Sequence, residues 1–197
     1  MQCYLKQTVP PAAEPLTTAE AKLHLRVDSG TEDLLIGALI ETSRRMAEAY
    51  TSRQFITATY TLKINDFPGS YGTIPLPRTP LGSVSSIAYV DVNGDTQTLS
   101  TDYYESISDD VSACVVLKPG KSWPQVQSDK YHAVTVTFTA GYGSAGSDVP
   151  ESARSAMLLL IGHLYENRES VITGTISTQL PLGATALLDT VSAREAV

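Results

Sequence analysis

Residues 148–169, which read DVPESARSAMLLLIGHLYENRE, decide the fold of this chain. Asp148 and Glu151 have the spacing of a capping box and predict where a helix begins. Behind them, apolar side chains recur at helical spacing and form one stripe: Ala153, Ala156, Met157, Leu160, Ile161 and Leu164. Leu158 and Leu159 lie off that stripe, so the helix needs a second packing partner. That partner is either another part of the same chain or a neighbouring subunit.

Two amphipathic patterns near the start of the chain predict two further helices. Thr17 and Glu20 form a capping-box pattern, and the helix that they open runs through Val27. Thr31 is expected to cap the second helix, which ends near Ser52.

The second of these helices has two contrasting faces. One is mainly apolar and is predicted to be the buried side: Leu35, Ile36, Leu39, Ser43, Met46 and Tyr50. The other carries two pairs of opposite charge, Glu41 with Arg45 and Arg44 with Glu48, each spaced to meet across one helical turn. Because charged side chains are rarely buried, we expect all four to be exposed to solvent.

Between the helical segments, the apolar period changes from 3.6 residues to two. The alternation begins near Ala58 and returns in a last strand at 134–138. Between these strands the pattern predicts a hairpin at 93–94 and a second strand pair around 109–110. The sequence therefore predicts an α+β fold, in which a small helical bundle of two N-terminal helices and one long C-terminal helix carries an inserted antiparallel β domain.

These patterns divide the chain into three regions. Residues 1–56 and 148–170 are assigned to the helical frame, and residues 57–147 to the inserted β region. Residues 171–197 are rich in Thr, Ser and Gly, which predicts an extended, flexible C-terminal arm because little apolar surface is available to hold it. The arm is either a loose terminus or a segment that orders against a partner through its grouped leucines: Leu180, Leu182, Leu187 and Leu188.

The composition is that of an ordinary soluble globular protein. The chain has 197 residues, of which 42% are hydrophobic and 18% charged. Its formal net charge of −7 argues against a basic DNA-binding patch, but an acidic wall suits a protein past which DNA slides. No signal peptide or membrane span is apparent, and Cys3 and Cys114 lack paired spacing, so we expect free thiols and a reducing cytoplasm.

No pattern in the sequence indicates catalysis, and we expect no cofactor or metal. Residues 141–146 match G-x-G-x-x-G, but Asp148 would place a carboxylate where a phosphate should meet the following helix. Four side chains have the spacing of a calcium loop: Asp91, Asn93, Asp95 and Asp102. Thr96, however, occupies the position that requires glycine. The three histidines match no zinc motif: His24, His132 and His163. We therefore predict a protein that is not an enzyme.

Taken in order, these segments resemble the head–tail connector family (adaptor or head-completion proteins) of long-tailed double-stranded DNA bacteriophages. The resemblance covers roughly residues 16–170 and begins with the early helix pair. It continues with LPRTPL at 76–81, before the hairpin, and WP at 123–124. The most telling part is VPESARSAMLLLIGHLYENRE at 149–169.

The resemblance implies a structural protein of the virion, made in the host bacterial cytoplasm and located at the capsid–tail junction. Its copies would form a ring, dodecameric by the same resemblance, beneath the portal protein. The ring would extend the channel through which genomic double-stranded DNA passes without specific binding. It would also provide the docking surface for a downstream head-completion or tail-terminator protein, with no membrane partner.

Two other classes remain open at the level of sequence. One is a β-rich virion adhesion or carbohydrate-binding module that uses exposed tyrosines: Tyr60, Tyr71, Tyr89, Tyr103 and Tyr104. The other is a metal- or nucleotide-dependent enzyme.

A closed ring requires one face of a subunit to meet a different face of its neighbour. We expect these subunit contacts to include the off-stripe leucines and the charged face of the second helix: Leu158, Leu159, Glu41, Arg44, Arg45 and Glu48. We expect contact with the portal to come from the leucines of the arm: Leu180, Leu182, Leu187 and Leu188.

Overall fold

The computed structural model describes residues 3–69, 72–109, 111–168 and 181–193, which form four α-helices and eight β-strands. The helices are α1 (Thr18–Leu25), α2 (Asp33–Thr51), α3 (Glu151–Glu166) and α4 (Leu182–Asp189). The strands are β1 (Cys3–Val9), β2 (Ala58–Ile64), β3 (Ile74–Pro75), β4 (Leu81–Val90), β5 (Thr96–Thr98), β6 (Tyr104–Ser108), β7 (Ala113–Leu117) and β8 (Val134–Ala140). The predicted α+β class is confirmed, because helices and antiparallel sheets occur in the same chain.

Within the described residues, the chain divides into two compact units. The sheet unit lies in Met1–Ala12 and Thr57–Tyr142, and the helical unit in Ala13–Ile56 and Gly143–Val197. The sequence pattern assigns residues 1–56 to the helical frame, but the N-terminal strand lies in the sheet unit. It belongs to the sheet unit because β1 pairs with β2, from Cys3 opposite Ile64 onward. No local pattern reveals a pairing between segments so far apart.

The sheet unit contains two antiparallel sheets. Five strands have the order β1-β2-β8-β4-β5, and three have the order β3-β7-β6. Every second residue of β2 and of β8 is buried, as the period of two predicts. The two sheets share one core, to which Ile74 and Val115 of the smaller sheet contribute beside Phe138 of the larger. The predicted hairpin is present, with Gly94 at a φ of 90° in the turn between β4 and β5.

In the helical unit, α3 packs against the other three helices. Its apolar stripe is buried as predicted, with Leu164 only half-buried: Ala153, Ala156, Met157, Leu160 and Ile161. The capping box of α1 is also present. The Glu20 backbone N–H donates to the Thr17 hydroxyl at 3.2 Å, and the Thr17 N–H donates to the Glu20 carboxylate at 2.7 Å.

The two other predicted caps are wrong. Asp148 lies in a 3-10 turn before α3, where its carboxylate accepts the Ala145 N–H at 2.9 Å, and no side chain caps the helix itself. Thr31 likewise lies inside a 3-10 turn ahead of α2, and the cap of that turn is Ser29. In both places the residue expected to cap the α-helix lies instead in an extra 3-10 turn ahead of that helix.

Gly146 lies against the backbone of a distant segment of the helical unit. A Cβ at this position would be 2.5 Å from the Pro15 carbonyl oxygen, which also accepts the Arg154 Nε–H at 3.2 Å. We expect Gly146→Ala to lower the free energy of unfolding by about 1–3 kcal/mol, because backbone has to move. Gly37→Ala in α2 is the matched control, since no atom lies within 4 Å of the added Cβ. It should stabilise the helix by up to about 1 kcal/mol. Urea unfolding midpoints measure both changes, and equal midpoints would contradict this account.

Candidate assembly surfaces

The two off-stripe leucines of α3 differ in exposure. Leu159 has 38% of its surface exposed, and Leu158 is half-buried. The Leu159 side chain packs against Gly183 of α4. For this part of the off-stripe face, α4 is therefore the second packing partner. Leu182, at the start of α4, is 81% exposed. Leu159 and Leu182 are therefore exposed apolar side chains on two helices that pack together, and we name this pair the α3–α4 patch.

The charged face of α2 is only partly a surface. Both predicted ion pairs form, with Arg45 and Glu41 at 2.6 Å and Arg44 and Glu48 at 3.0 Å. Glu41 and Arg45 are exposed as predicted, but Arg44 is 6% and Glu48 is 8% exposed. The expected solvated face is therefore wrong for this second pair. Arg44 and Glu48 offer little surface to a neighbouring subunit.

Partners from outside α2 explain why this pair can be buried. The Arg44 guanidinium donates to both carboxylate oxygens of Glu14, at 2.7 and 3.1 Å. The Glu48 carboxylate accepts the backbone N–H of Phe55 at 2.9 Å and the Gln54 amide at 2.7 Å. A buried charge is tolerated when opposite charge and hydrogen bonds surround it. Together these groups tie the end of α2 to the segments before α1 and after α2.

The predicted C-terminal arm contains a helix. Of the four leucines assigned to it, Leu180 lies outside the described residues, Leu182 is exposed and Leu187 is half-buried. Leu188 is fully buried within the helical unit, which corrects its assignment to a free portal-binding surface. Composition alone did not reveal this because the segment is short and its partners are on α2 and α3.

Two further exposed leucines, which sequence reasoning missed, lie on α1 and α2. Leu34 is 93% exposed at the start of α2, and Leu23 on α1 is 82% exposed. Leu34 lies off the buried stripe of α2, and this was the signal available in the sequence. Single exposed leucines are common on protein surfaces, but two in one small unit are candidates for contact with another chain.

The end of α3 is tied to the turn that precedes α2. The Tyr165 hydroxyl donates to one carboxylate oxygen of Glu32, and Arg168 donates to the other at 2.7 Å. The Arg168 guanidinium also lies 4.9 Å from the centre of the Tyr165 ring. These contacts lower the pKa of Glu32, mainly through the Tyr165 hydroxyl and then through Arg168. The YENR segment, which carried much of the sequence resemblance, has a structural role here.

Acid should destabilise the helical unit through its bonded carboxylates. The pKa of Glu20 lies below its ordinary value of 4.5, because the Thr17 backbone N–H and hydroxyl donate to the carboxylate and Arg154 is close. A depressed folded-state pKa stabilises the protein above the unfolded-state value, and that stability is lost as the pH falls through the folded-state value. We therefore expect stability to fall as the pH drops below 4.5.

The variant Glu20→Gln tests this expectation, because glutamine can keep the capping box but does not titrate. Its free energy of unfolding should depend less steeply on pH than that of the wild type between about pH 5 and pH 3. Urea titrations at several pH values provide the comparison. Parallel curves would mean that Glu20 contributes nothing to the acid response.

Among the described residues of the sheet unit, four strands lie at sheet edges. β1 and β5 are the edges of the larger sheet, and β3 and β6 are the edges of the smaller one. Exposed apolar side chains lie on two of these edges, namely Tyr4 on β1 and Ile107 on β6. Backbone groups on such an edge are available to pair with another strand.

Two of the five tyrosines that the carbohydrate-binding alternative would use are buried in the sheet unit. Tyr60 and Tyr104 are buried, Tyr89 is half-buried, and Tyr71 lies outside the described residues. Tyr103 is exposed, with the Lys121 amine 4.8 Å from its ring centre. The burial of Tyr60 and Tyr104 removes them from any exposed stacking surface.

The calcium-like turn and the glycine-rich turn contain side chains with structural partners. The Asp91 carboxylate accepts the backbone N–H groups of Asn93 and Asp95 and the Gln97 amide, as expected in a hairpin turn. These bonds, first that from Gln97, lower the pKa of Asp91. Gly143 lies directly against the Asp148 carboxylate, so that side chain fills the space beside the glycine-rich turn. No group of three or more candidate metal-ligating side chains occurs among the described residues.

None of the helices in the described ranges has the length and apolar character needed to cross a membrane.

Comparison with known proteins gives structural neighbours only. No family model and no curated protein matches the sequence. A chain in the virion of a native gene transfer agent particle matches with a TM-score of 0.79 at 21% identity, over 98% of this chain and 97% of that chain. A chain in the neck of an empty gene transfer agent particle, computed with C6 symmetry, gives 0.80 at 20% identity over the same shares. A chain in the neck of a native particle, computed with C12 symmetry, gives 0.75 at 22% identity, over 100% of this chain and 98% of that chain. Over nearly its whole length, the chain thus shares its fold with components of gene transfer agent particles.

Proposed function

We propose that this protein is a structural head–tail connector, which forms a ring under the portal of a phage-like particle. The observation that carries the proposal is the near full-length fold match to a chain in particle necks computed with C6 and C12 symmetry. Fold alone does not determine function, but the shared fold extends over at least 97% of both chains, and both neighbours are neck components.

The surfaces of the helical unit support a role in assembly. A ring is built from heterologous contacts, so each subunit needs two different interface surfaces, one for each neighbour. The α3–α4 patch and the exposed leucines of α1 and α2 are two such candidates on different helices. We propose that Leu159, the exposed part of Leu158 and the Glu41–Arg45 pair contact the neighbouring subunit. Arg44 and Glu48 instead hold the helical unit together.

Charge supports the second part of the proposal, that DNA passes through the ring without specific binding. With a formal net charge of −7, each copy repels the phosphate backbone on average. A ring of such copies would extend the channel from the portal without retaining the DNA. Its opposite rim would receive the next head-completion or tail-terminator protein.

The test is to mix the purified protein with portal rings of the same particle and to image the mixture by electron microscopy. We expect a second ring stacked on the portal, with a copy number that matches the symmetry of the portal. Portal rings that remain bare at saturating protein concentration would overturn the proposal. A monomer in the absence of portal would be compatible with it.

Leu159→Glu should weaken this assembly. A charge placed in the α3–α4 patch opposes burial against a neighbour, and we expect the concentration needed for ring formation to rise about tenfold or more. Light scattering of the protein with portal measures the assembled mass. The thermal unfolding midpoint of the free variant controls for folding. Assembly at the wild-type concentration would exclude Leu159 from the interface.

A further inference from the structure

Two strand edges of the sheet unit are open and complementary. Within the described residues, β1 pairs only with β2, and β6 pairs only with β7. Six of the seven residues of β1 and four of the five residues of β6 are exposed. β1 contains no proline and only one charged residue, Lys6, so it lacks the usual devices that keep edges from pairing.

The two edges lie far apart within the unit. In the larger sheet β2 and β8 separate β1 from β4, and β6 of the smaller sheet contacts β4. At ~4.8 Å per strand, β1 and β4 are roughly 14 Å apart. Different edges at separated positions on one subunit are the arrangement that a head-to-tail contact between identical copies requires.

We propose that β1 of one subunit pairs in antiparallel fashion with β6 of a second copy of this chain, so that the sheet units of neighbouring subunits join edge to edge. The inference rests on the proposed ring, because it assigns one of the contacts that build it. In the register that we propose, Lys6 lies opposite Glu105 and Tyr4 lies opposite Ile107. The first pair joins opposite charges, and the second covers two apolar side chains that are 51% and 50% exposed.

The pleat of both strands agrees with this register. Leu5 lies opposite the buried Leu62 in β2, so Leu5 is on the core side of its sheet. Ser106 lies opposite the buried Val115 in β7 and is on the core side of the smaller sheet. The proposed register places Leu5 opposite Ser106, so the core-facing side chains of the two strands share one side. A slip by one residue would turn the two core sides away from each other.

Charge reversal tests the pair between Lys6 and Glu105. Neither residue forms an ion pair among the described residues, so the subunit fold does not depend on their charges. We expect Lys6→Glu and Glu105→Lys each to raise the concentration needed for ring formation on portal about tenfold, because like charges then face each other. The double variant should return to within about threefold of the wild type.

Cross-linking tests the register. Cys3 would lie opposite Ser108, at the separation that a disulfide can span. In the variant Cys114→Ser with Ser108→Cys, oxidation of portal-bound rings should give a ladder of covalent multimers on a denaturing gel. The control Cys114→Ser with Thr98→Cys carries its cysteine on the β5 edge and should give none. Cys114→Ser alone reports whether two β1 strands pair with each other.

The outcomes separate this inference from the proposed function. Wild-type protein that forms no ring overturns both. If the wild-type protein forms rings but either single charge variant assembles at the wild-type concentration, only the edge pairing is overturned. The same conclusion follows if the double variant fails to recover, if the Thr98→Cys control forms an equal ladder, or if Cys114→Ser alone yields dimers through Cys3.

Discussion

Replacing Glu48 by alanine is expected to lower the free energy of unfolding by about 3 kcal/mol or more. Glu48 is 8% exposed, and its carboxylate accepts hydrogen bonds from Arg44, Gln54 and the backbone of Phe55. Alanine leaves the Phe55 N–H without this acceptor and removes one of the two carboxylates that neutralise the buried Arg44. Unsatisfied buried donors and charges are among the costliest single changes in a protein.

Glu41→Ala is the matched control. Glu41 is the other glutamate of α2, and like Glu48 it forms an ion pair with an arginine one helical turn away, in this case Arg45. Glu41 and Arg45 are both exposed, so the loss should be only about 0.5 kcal/mol or less. Urea unfolding followed by circular dichroism measures both variants, and the slope of the transition should be unchanged. Equal decreases in the free energy of unfolding for the two variants would show that burial of the Arg44–Glu48 pair does not stabilise the protein.

Leu188→Ala should cost about 2–5 kcal/mol, since it removes a fully buried side chain and leaves a cavity between α4 and the rest of the helical unit. Several polar contacts fix α4 in place. The Tyr50 hydroxyl donates to Asp189 at 2.8 Å, and the Ala193 N–H donates to the Thr51 carbonyl at 2.9 Å. The helix is therefore an integral part of the unit.

Leu182→Ala is the comparison for this second experiment, because Leu182 is 81% exposed on the same helix. Its removal should change stability by less than about 0.5 kcal/mol. The same denaturation measurements apply. If Leu188→Ala were as stable as the wild type, the C-terminal segment would be the loose arm that its composition suggested.

Local patterns were sufficient for most of the fold. The alternation in β2 and β8, the Asn93–Gly94 turn and the helical stripe of α3 are each encoded within a few residues, and each is present as predicted. In such segments the period of the apolar residues fixes both the element and its buried side. The elements that local patterns described correctly are those whose main packing surface is one continuous face.

The errors arose where a distant segment determines the outcome. Arg44 and Glu48 look like a surface pair until Glu14, which lies 30 positions from Arg44, supplies a second carboxylate. The buried stripe of α2 is accordingly rotated from the predicted one: Ile36, Ile40, Ser43, Arg44, Ala47, Glu48 and Thr51. Long-range partners of this kind leave no trace in local periodicity.

The candidate surfaces were foreseen only in part, for the same reason. Leu159 was singled out because it lies off the stripe of α3, and its partial exposure agrees with that interpretation. The exposure of Leu23 and Leu34 and the pairing of β1 depend on which segments pack elsewhere. They became visible only with the three-dimensional arrangement of each unit.

The backbone passes between the sheet unit and the helical unit three times, after Ala12, Ile56 and Tyr142. Cleavage of a single peptide bond at any one of these crossings would still leave two covalent links between the units. A proteolytic nick there would give two fragments on a denaturing gel. In the native subunit these fragments would be held together by non-covalent packing, such as the pairing of β1 with β2 after cleavage at Ala12.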